Sequence, residues 1–345
     1  MCALCFAIHI FYLLLLTYLH ASHQSAILIG MKKSILFFCV AWYAALFSCF
    51  CFPEDFLSNE LYKDRMKSLI RELRVNTTQE RILITQNGSA LYFKNGAIDT
   101  DFLNVINATT QESLYYGDVL RFNTPTSKKL QNELLNNIHL VKQNGKPIFV
   151  INYGKGQKKR NFLIAEDSKT GFVSELLPTF EANELYEALR TYTENNITSL
   201  SEVNNFLCLL NPEKFADVQE YHEQLQNTNY DLLLIEPSLN GIFFTREQIH
   251  ELKKKKNGGK RIVVAYFSIG EAENYRLYWQ NEWNKKRPNW IAEENKDWKG
   301  NYIVKYWLPE WKHIVKEYQK KLDDLDVDGY LLDTVDSYDY FNNRS

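Results

Sequence analysis

The chain has 345 residues, of which 45% are hydrophobic and 24% charged, so it can bury a sizeable apolar core. Its 40 Lys and Arg nearly balance its 42 Asp and Glu, for a net charge of −2. This balance argues against a disordered chain and against a nucleic-acid-binding protein.

The first 53 residues differ from the rest, since they contain no acidic residue and only two basic ones. From Met31 they follow the pattern of a secretory signal, with two lysines, an apolar stretch over 35–47 and then a small serine. We therefore predict that residues 1–53 are a signal or leader segment and that translation starts at Met31. A membrane anchor of two helices is the alternative.

Five of the six cysteines fall in this leader, so we expect no disulfide bond among residues 54–345, where Cys208 stands alone. Export without disulfides suits a secreted or cell-envelope protein, with a lipid anchor or the leader as the expected contact with a membrane. No later apolar run is long enough to span a bilayer.

Beyond residue 53, short apolar runs alternate with amphipathic stretches. The predicted strands are 81–86, 102–107, 147–152, 171–175, 206–210, 231–236, 261–268 and 329–333. The predicted helices are 61–74, 127–143, 183–193, 212–226, 246–256 and 310–325, with a capping box at Thr245 and Gln248. Eight such units favour the α/β class and one domain, residues 54–345, folded as a (β/α)8 barrel of the TIM type.

In such barrels, chemistry takes place at the carboxyl ends of the strands. Polar residues at or after these ends are Asn87, Glu112, Tyr153, Glu236, Glu271, Asp333 and Asp336. A ring of carboxylates among Tyr and Asn suits acid–base chemistry on a sugar, where one acid protonates a leaving oxygen and another attacks or stabilises the anomeric carbon. Each acid taken alone is equally compatible with a helix cap or a surface ion pair.

Six of the seven tryptophans lie within residues 279–311 and offer either a stacking wall for sugar rings or packing over the barrel. We expect one or two of them in the site and take Trp307 as the candidate. The seven histidines show no metal-binding spacing and the cysteines form no metal-binding cluster, so we expect neither a metal nor a cofactor.

Three motifs in the second half of the chain are long and specific: YDLLLIE at 230–236, AYFSIGEAENYRLYW at 265–279 and DGYLLD at 328–333. Together with residues 298–307 they resemble the endo-α-1,4-polygalactosaminidase family, glycoside hydrolase family 114. The resemblance implies a TIM barrel that hydrolyses α-1,4-linked galactosamine polysaccharide.

The motifs follow a rotated order. The second half of the chain resembles the first four strands of the family barrel. Residues 82–88 and 111–116 resemble its fifth and sixth strands, and 147–153 and 171–177 its seventh and eighth. We predict a circular permutation, which a closed ring permits because it has no intrinsic first strand. A gene fragment that joins pieces of two barrels is the alternative.

The resemblance implies that Asp333 is the nucleophile and Glu112 the general acid/base. In chain order these residues end strands two and eight, so ring closure places them two strands apart, with roughly 9–10 Å between their backbones at ~4.8 Å per strand. The predicted substrate-binding residues are Glu236, Glu271, Tyr153, Asn87, Tyr266, Arg276, Trp307 and Asp336. A monomer is expected, and a catalytically inactive, polysaccharide-binding barrel at the cell surface is the alternative function.

Overall fold

A computed structural model describes residues 54–77 and 80–344, so the predicted leader lies outside the described residues. The chain divides into two units, Met1–Leu57 and Ser58–Ser345, and the second contains the barrel. Within the described ranges, no helix is both long and apolar enough to traverse a bilayer.

Eight parallel strands form one sheet in the described part of the chain. They are β1 (Ile82–Gln86), β2 (Ala108–Glu112), β3 (Ile148–Tyr153), β4 (Val173–Leu177), β5 (Phe206–Leu209), β6 (Leu232–Ile235), β7 (Ile262–Ser268) and β8 (Gly329–Asp333). Their order is β4-β3-β2-β1-β8-β7-β6-β5, so the first strand pairs with the last. The result is a nearly closed (β/α)8 barrel, which confirms the predicted fold class.

Helices alternate with most of these strands. They are α1 (Glu54–Asn76), α2 (Thr100–Leu103), α3 (Lys128–Gln143), α4 (Gln157–Thr170), α5 (Val218–Gln226), α6 (Arg246–Leu252), α7 (Pro309–Asp324) and α8 (Tyr338–Asn342). The predicted capping box begins α6: the Thr245 hydroxyl accepts from the Gln248 backbone N–H, and the Gln248 side chain accepts from that of Thr245.

Short antiparallel strands lie in the connections between these elements. They pair Phe93–Lys94 with Ala97–Ile98, pair Ser238–Leu239 with Ile242–Phe243, and join Glu271–Glu273, Asn301–Val304 and Ile291–Glu294 into a three-stranded sheet.

The second strand was predicted wrongly at 102–107. Phe102 and Leu103 are buried, but they belong to α2, whose first turn is capped by Asp99 accepting from the Phe102 backbone N–H at 3.0 Å. A short buried helix and a short buried strand have the same apolar composition, so periodicity over a few residues does not separate them. The strand follows at Ala108–Glu112.

Among the longer helices, prediction failed in two places. The helix predicted at 183–193 is absent, and residues 178–199 run as irregular chain. The helix α4 was missed because it is polar on nearly every side: Leu163 and Asp167 are its buried residues, whereas Phe162 and Ile164 are exposed.

Two predicted helices are shorter than expected. The helix predicted at 212–226 begins only at Val218, after Asp217 caps it by accepting from the Glu220 backbone N–H at 2.8 Å. The helix predicted at 246–256 ends at Leu252, because the chain turns there and buries Lys255 against Asp231 at 2.5 Å.

Side chains alternate between the two faces of the barrel wall. Ile84 of β1 lies in the apolar cluster inside the barrel, level with Ala108 of β2 and Leu331 of β8. Leu83 belongs to the larger cluster between the strands and the helices. Because the side-chain period of a strand is two, the inward face continues toward the carboxyl ends at Gln86, Glu112 and Asp333.

The barrel has a seam between β4 and β5, which share no strand ladder among the described residues. Side chains bridge it. The Glu175 carboxyl group of β4 accepts from the backbone N–H groups of Leu189 and Phe206, at 2.9 and 3.4 Å. The Tyr186 hydroxyl donates to the Phe206 carbonyl at 3.1 Å and accepts from the Cys208 N–H at 2.9 Å. The irregular segment thus protects the edge of β5.

The pairing of β1 with β8 is what ring closure requires of a permuted chain. The seam lies elsewhere in the ring, between two strands that follow one another in sequence. Circular permutation itself stays a prediction.

We expect Glu175→Ala to lower the free energy of unfolding by about 2 kcal/mol or more, because each buried N–H left without a partner costs about 1–3 kcal/mol. Urea denaturation measures the change. Glu187→Ala is the matched control, since that side chain is 83% exposed in the same irregular segment, and its effect should stay within about 0.5 kcal/mol. Equal effects of the two substitutions would show that Glu175 does not hold the seam.

Candidate active site

A cavity of about 680 Å³ lies at the carboxyl ends of the barrel strands. Its volume falls within the range of small-molecule sites, about 300–1,000 Å³. The lining residues at or next to barrel strand ends include Gln86, Glu112, Tyr153, Glu236, Tyr266 and Asp333. The strand ends therefore converge on one cleft, as barrel architecture predicts.

Most of the predicted site residues line this cavity: Asn87, Glu112, Tyr153, Glu236, Tyr266, Glu271, Arg276, Asp333 and Asp336. Trp307 is the exception and corrects the prediction. Its ring packs 5.2 Å from that of Tyr62, with the Arg65 guanidinium 4.5 Å from its centroid, because the Trp307 turn folds back onto α1. Trp298 lines the cavity instead and is 42% exposed.

Glu112 is held by residues from the two neighbouring strands. Its carboxylate accepts from the Asn87 amide nitrogen at 2.7 Å and from the Tyr153 hydroxyl. The Asn87 amide oxygen accepts in turn from the Glu112 backbone N–H at 2.9 Å. Asn87 has a φ of 59°, in the left-handed region that Asn tolerates, so the Asn87-Gly88 turn that ends β1 orients this amide toward β2.

Asp333 ends β8, and its carboxyl group receives two hydrogen bonds. Its carboxyl group accepts from the Tyr266 hydroxyl at 2.9 Å and from the Thr334 backbone N–H at 2.7 Å. The Thr334 hydroxyl accepts from the Gly270 N–H at 2.8 Å, which ties the end of β8 to the loop after β7. A Cβ at Gly270 would clash with the Thr334 carbonyl, so this close approach requires glycine.

Asp333 and Glu112 lie on either side of β1, which pairs with β8 on one edge and β2 on the other. This is the two-strand separation that the sequence predicts. Burial raises the pKa of Asp333 well above its ordinary value, and the charge of Glu112 raises it further. The two groups therefore resist being ionised together.

A buried ionic network forms the adjoining wall of the cavity. Arg276 donates to Glu236 at 2.7 Å and to Glu273 at 2.5 Å, and it also donates to the Tyr318 hydroxyl at 2.9 Å. Burial raises the pKa of Glu236, while the guanidinium opposes that rise. Arg276 thus offsets the charge of two carboxylates and fixes their positions.

Two further carboxyl groups in the cavity titrate near neutral pH. Burial raises the pKa of Glu271 to about 7, an effect that Asn295 opposes by donating to its carboxyl group at 2.9 Å. Burial raises the pKa of Asp336 to about 7 as well, with added repulsion from Asp339 and Glu112. The charge of the cavity therefore becomes more negative as the pH rises through 7.

Acidic groups dominate the described lining, where eight acidic side chains face two basic ones, Arg276 and Lys299. The acidic ones are Glu112, Glu181, Glu213, Glu236, Glu271, Glu273, Asp333 and Asp336. Over the same described residues, His, Cys, Asp and Glu form no group of three or more with metal-binding geometry. The charge pattern favours a cationic organic ligand.

Large apolar side chains stand exposed at the opening of the cavity. Tyr275 is 61% exposed, Leu277 65% and Trp298 42%, and all three line the cavity. Exposed apolar surface at a cleft marks a binding surface for a ligand that extends beyond it.

Sequence reasoning missed Gln86 and Glu273. Strand alternation from Ile82 and Ile84 would have placed Gln86 on the inward face, and Glu273 lies two residues from Glu271 on one short strand. Tyr318, on α7, gave no local signal, because it reaches Arg276 only through the packing of α7 on the barrel.

Residues 212–345 match the model of glycoside-hydrolase family GH114. An uncharacterised protein of Methanocaldococcus jannaschii is 37% identical over 199 residues, covering 54% of this chain and 55% of the relative. An uncharacterised protein of Thermotoga maritima is 36% identical over 118 residues, 34% of this chain and 36% of the relative. One of Deinococcus radiodurans is 39% identical over 84 residues, 24% of this chain and 27% of the relative.

The chain thus spans about half the length of the first of these relatives and less of the other two. Among solved structures, the crystal structure of Aspergillus fumigatus Ega3 in complex with galactosamine overlaps 39% of this chain and 43% of its own, at 21% identity and a TM-score of 0.26. The matched family segment contains β6, β7 and β8 and the residues Glu236, Arg276 and Asp333. Over residues 212–345 the chain is GH114-like.

Proposed function

We propose that the protein is a glycoside hydrolase that cleaves α-1,4-linked galactosamine polysaccharide, with Glu112 and Asp333 as its catalytic carboxyl groups. The observation that carries the proposal is the placement of these two electrostatically coupled carboxyl groups on either side of β1, in a cavity large enough for sugar rings. Glycoside hydrolysis needs such a pair. The match to a glycoside-hydrolase family supports the reaction class.

The two carboxyl groups take distinct roles in the proposed reaction, Asp333 as the nucleophile and Glu112 as the general acid/base. Because burial and the charge of Glu112 both oppose ionisation of Asp333, this carboxyl group keeps its proton to a higher pH than an isolated aspartate would. Attack requires the ionised form of Asp333, which the donors Tyr266 and Thr334 stabilise. We propose that Asp333 attacks the anomeric carbon while Glu112 protonates the leaving oxygen, which departs with the cleaved chain. Water then attacks the anomeric carbon and gives a proton to Glu112, and the bond between the sugar and Asp333 breaks, which restores both groups.

The acidity of the cavity supports an amino sugar as the substrate. A galactosamine unit without an N-acetyl group carries an ammonium group, which the surplus of lining carboxylates attracts. N-acetylation removes that charge. Glu236, Glu271, Glu273 and Asp336 supply this acidity beside the catalytic pair. We therefore propose that deacetylated stretches of the polymer bind preferentially.

The exposed rim supports a polymer as the ligand. Tyr275 and Trp298 present aromatic faces at the opening of the cavity, where sugar rings beyond the cleavage point can stack. We propose that the protein meets this polymer outside the cell or at its envelope, as the apolar leader at residues 1–53 suggests.

We expect Glu112→Gln to lower the pKa of Asp333. The substitution removes the neighbouring negative charge that opposes ionisation of Asp333, while burial remains and keeps the pKa above its ordinary value. Carbon-13 NMR of labelled aspartate carboxyl groups across a pH titration measures the shift. Glu213→Gln, in the lining of the same cavity, is the control and should leave the pKa of Asp333 unchanged. An unchanged pKa in Glu112→Gln would show that the two groups are not coupled.

We expect Asp333→Asn and Glu112→Gln each to reduce turnover of partly deacetylated galactosaminogalactan by about 100- to 10,000-fold, because each removes a group required for proton transfer or attack. Release of reducing ends measures turnover, and circular dichroism checks that the variants remain folded. Glu187→Gln serves as the control and should keep most of the activity, since that side chain is 83% exposed and does not line the cavity. Polymer binding without hydrolysis by the wild type would favour the alternative, an inactive polysaccharide-binding barrel.

A galactosamine oligomer with an activated aryl leaving group separates the two roles. Such a leaving group departs without protonation, so Glu112→Gln should still release the aryl group in the first step, whereas Asp333→Asn should not. The reverse pattern would exchange the assigned roles, and near-normal polymer hydrolysis by either variant would refute the pair.

A further inference from the structure

We propose that Gln86 is a further substrate-contacting residue, whose side-chain amide oxygen accepts a hydrogen bond from the sugar bound between Glu112 and Asp333. The inference rests on the proposed glycosidase function and adds to it a residue that orients the sugar. It concerns a residue that lies outside the matched family segment.

The position of Gln86 places it between the catalytic acids. It is the last residue of β1, the strand that separates β2, which carries Glu112, from β8, which carries Asp333. Ile84, two residues earlier, belongs to the cluster inside the barrel, so Gln86 continues the inward face. Its side chain lines the cavity although only 3% of the residue is exposed.

The side-chain oxygen of Gln86 has no hydrogen-bond partner among the described residues. Its neighbours are satisfied: Asn87 and Tyr153 donate to Glu112, and Tyr266 donates to Asp333. Buried polar atoms without partners are rare in folded proteins, because water is lost and nothing replaces it. Because the Gln86 residue lines the cavity, we infer that a donor on the ligand completes this unpaired acceptor.

An amide oxygen selects a particular kind of group. It accepts hydrogen bonds and does not donate them, so its partner is an N–H or O–H group of the sugar. Unlike the surrounding carboxyl groups, it carries no charge and does not titrate. Gln86 therefore orients the sugar at every pH and takes no part in proton transfer.

Gln86→Met tests the acceptor directly, because methionine has a similar length and lacks the oxygen. We expect the dissociation constant for free galactosamine, measured by NMR titration, to rise about 3- to 10-fold, as for the loss of one hydrogen bond. The melting temperature should stay the same or rise, since the oxygen has no partner in the protein to lose. Gln86→Glu retains an acceptor oxygen and should restore binding at least in part.

The chain offers a matched control in Gln319 of α7. Its side-chain oxygen is also buried without a partner, and the residue is 1% exposed, but it does not line the cavity. Its amide nitrogen donates to the Leu73 carbonyl at 2.7 Å. Gln319→Met should therefore lower the melting temperature and leave galactosamine binding unchanged, the opposite pattern to Gln86→Met.

Galactose titrated in parallel identifies the donor. If Gln86→Met loses affinity equally for galactose and galactosamine, the donor is a hydroxyl group that both sugars share. If the loss is confined to galactosamine, the donor is its amino group. Both results support the inference. Wild-type affinity for galactosamine in Gln86→Met overturns it. Hydrolysis of the polymer by the wild type is followed separately, so unchanged binding alongside normal hydrolysis refutes Gln86 alone. A wild type that neither binds galactosamine nor cleaves the polymer refutes both proposals.

Discussion

The parallel register of β8, β1 and β2 is the constraint on which the candidate site depends. It sets Ile84 beside both Ala108 and Leu331, so that the inward positions beyond them bring Gln86, Glu112 and Asp333 to one end of the barrel. A slip of one residue in β2 would turn Glu112 toward the helices. The same slip would also turn the apolar side chains of the layers beneath away from the barrel interior. The packing of these layers therefore fixes the register and, with it, the positions of Gln86, Glu112 and Asp333.

This arrangement concentrates like charges, which the fold offsets in two ways. Hydrogen-bond donors at the ends of adjacent strands hold Glu112 and Asp333, and Arg276 compensates Glu236 and Glu273. Glu271 and Asp336 have raised pKa values, and a cationic ligand in the cavity would favour their ionised forms. A polar site of this kind lowers stability in exchange for binding. Gln86 fits the same pattern, with one acceptor left for a ligand.

Much of the fold follows from the sequence because buried parallel strands are continuous apolar runs, and seven of the eight predicted strands overlap strands of the described barrel. The failures have local causes. Phe102 and Leu103 are buried residues of a helical turn whose apolar composition resembles that of a strand, and α4 lacks a clear apolar face. The seam was beyond sequence reasoning, since Glu175 and Tyr186 meet β5 only after the irregular segment has folded over its edge.

The positions of Glu236 and Asp333 in the cavity were predictable because these residues follow or end apolar strands, whereas Glu112 ends a largely polar strand that was predicted at the wrong residues. Trp307 shows the limit of reasoning from composition, because aromatic residues close together in sequence pack both at the cavity and against α1. Lys255 shows the same limit for charge: a run of four lysines is normally exposed to solvent, yet Lys255 is buried against Asp231. Contacts between residues far apart in the sequence decide where such side chains lie.

Proton NMR of soluble, deacetylated α-1,4-galactosamine polymer during incubation with the wild-type protein tests the central claim most directly. The anomeric region reports both cleavage of internal linkages and the configuration of each new reducing end. The two-carboxylate account predicts that internal anomeric signals decrease while new reducing-end signals appear, with no added cofactor. An unchanged polymer spectrum in the presence of folded protein would contradict it.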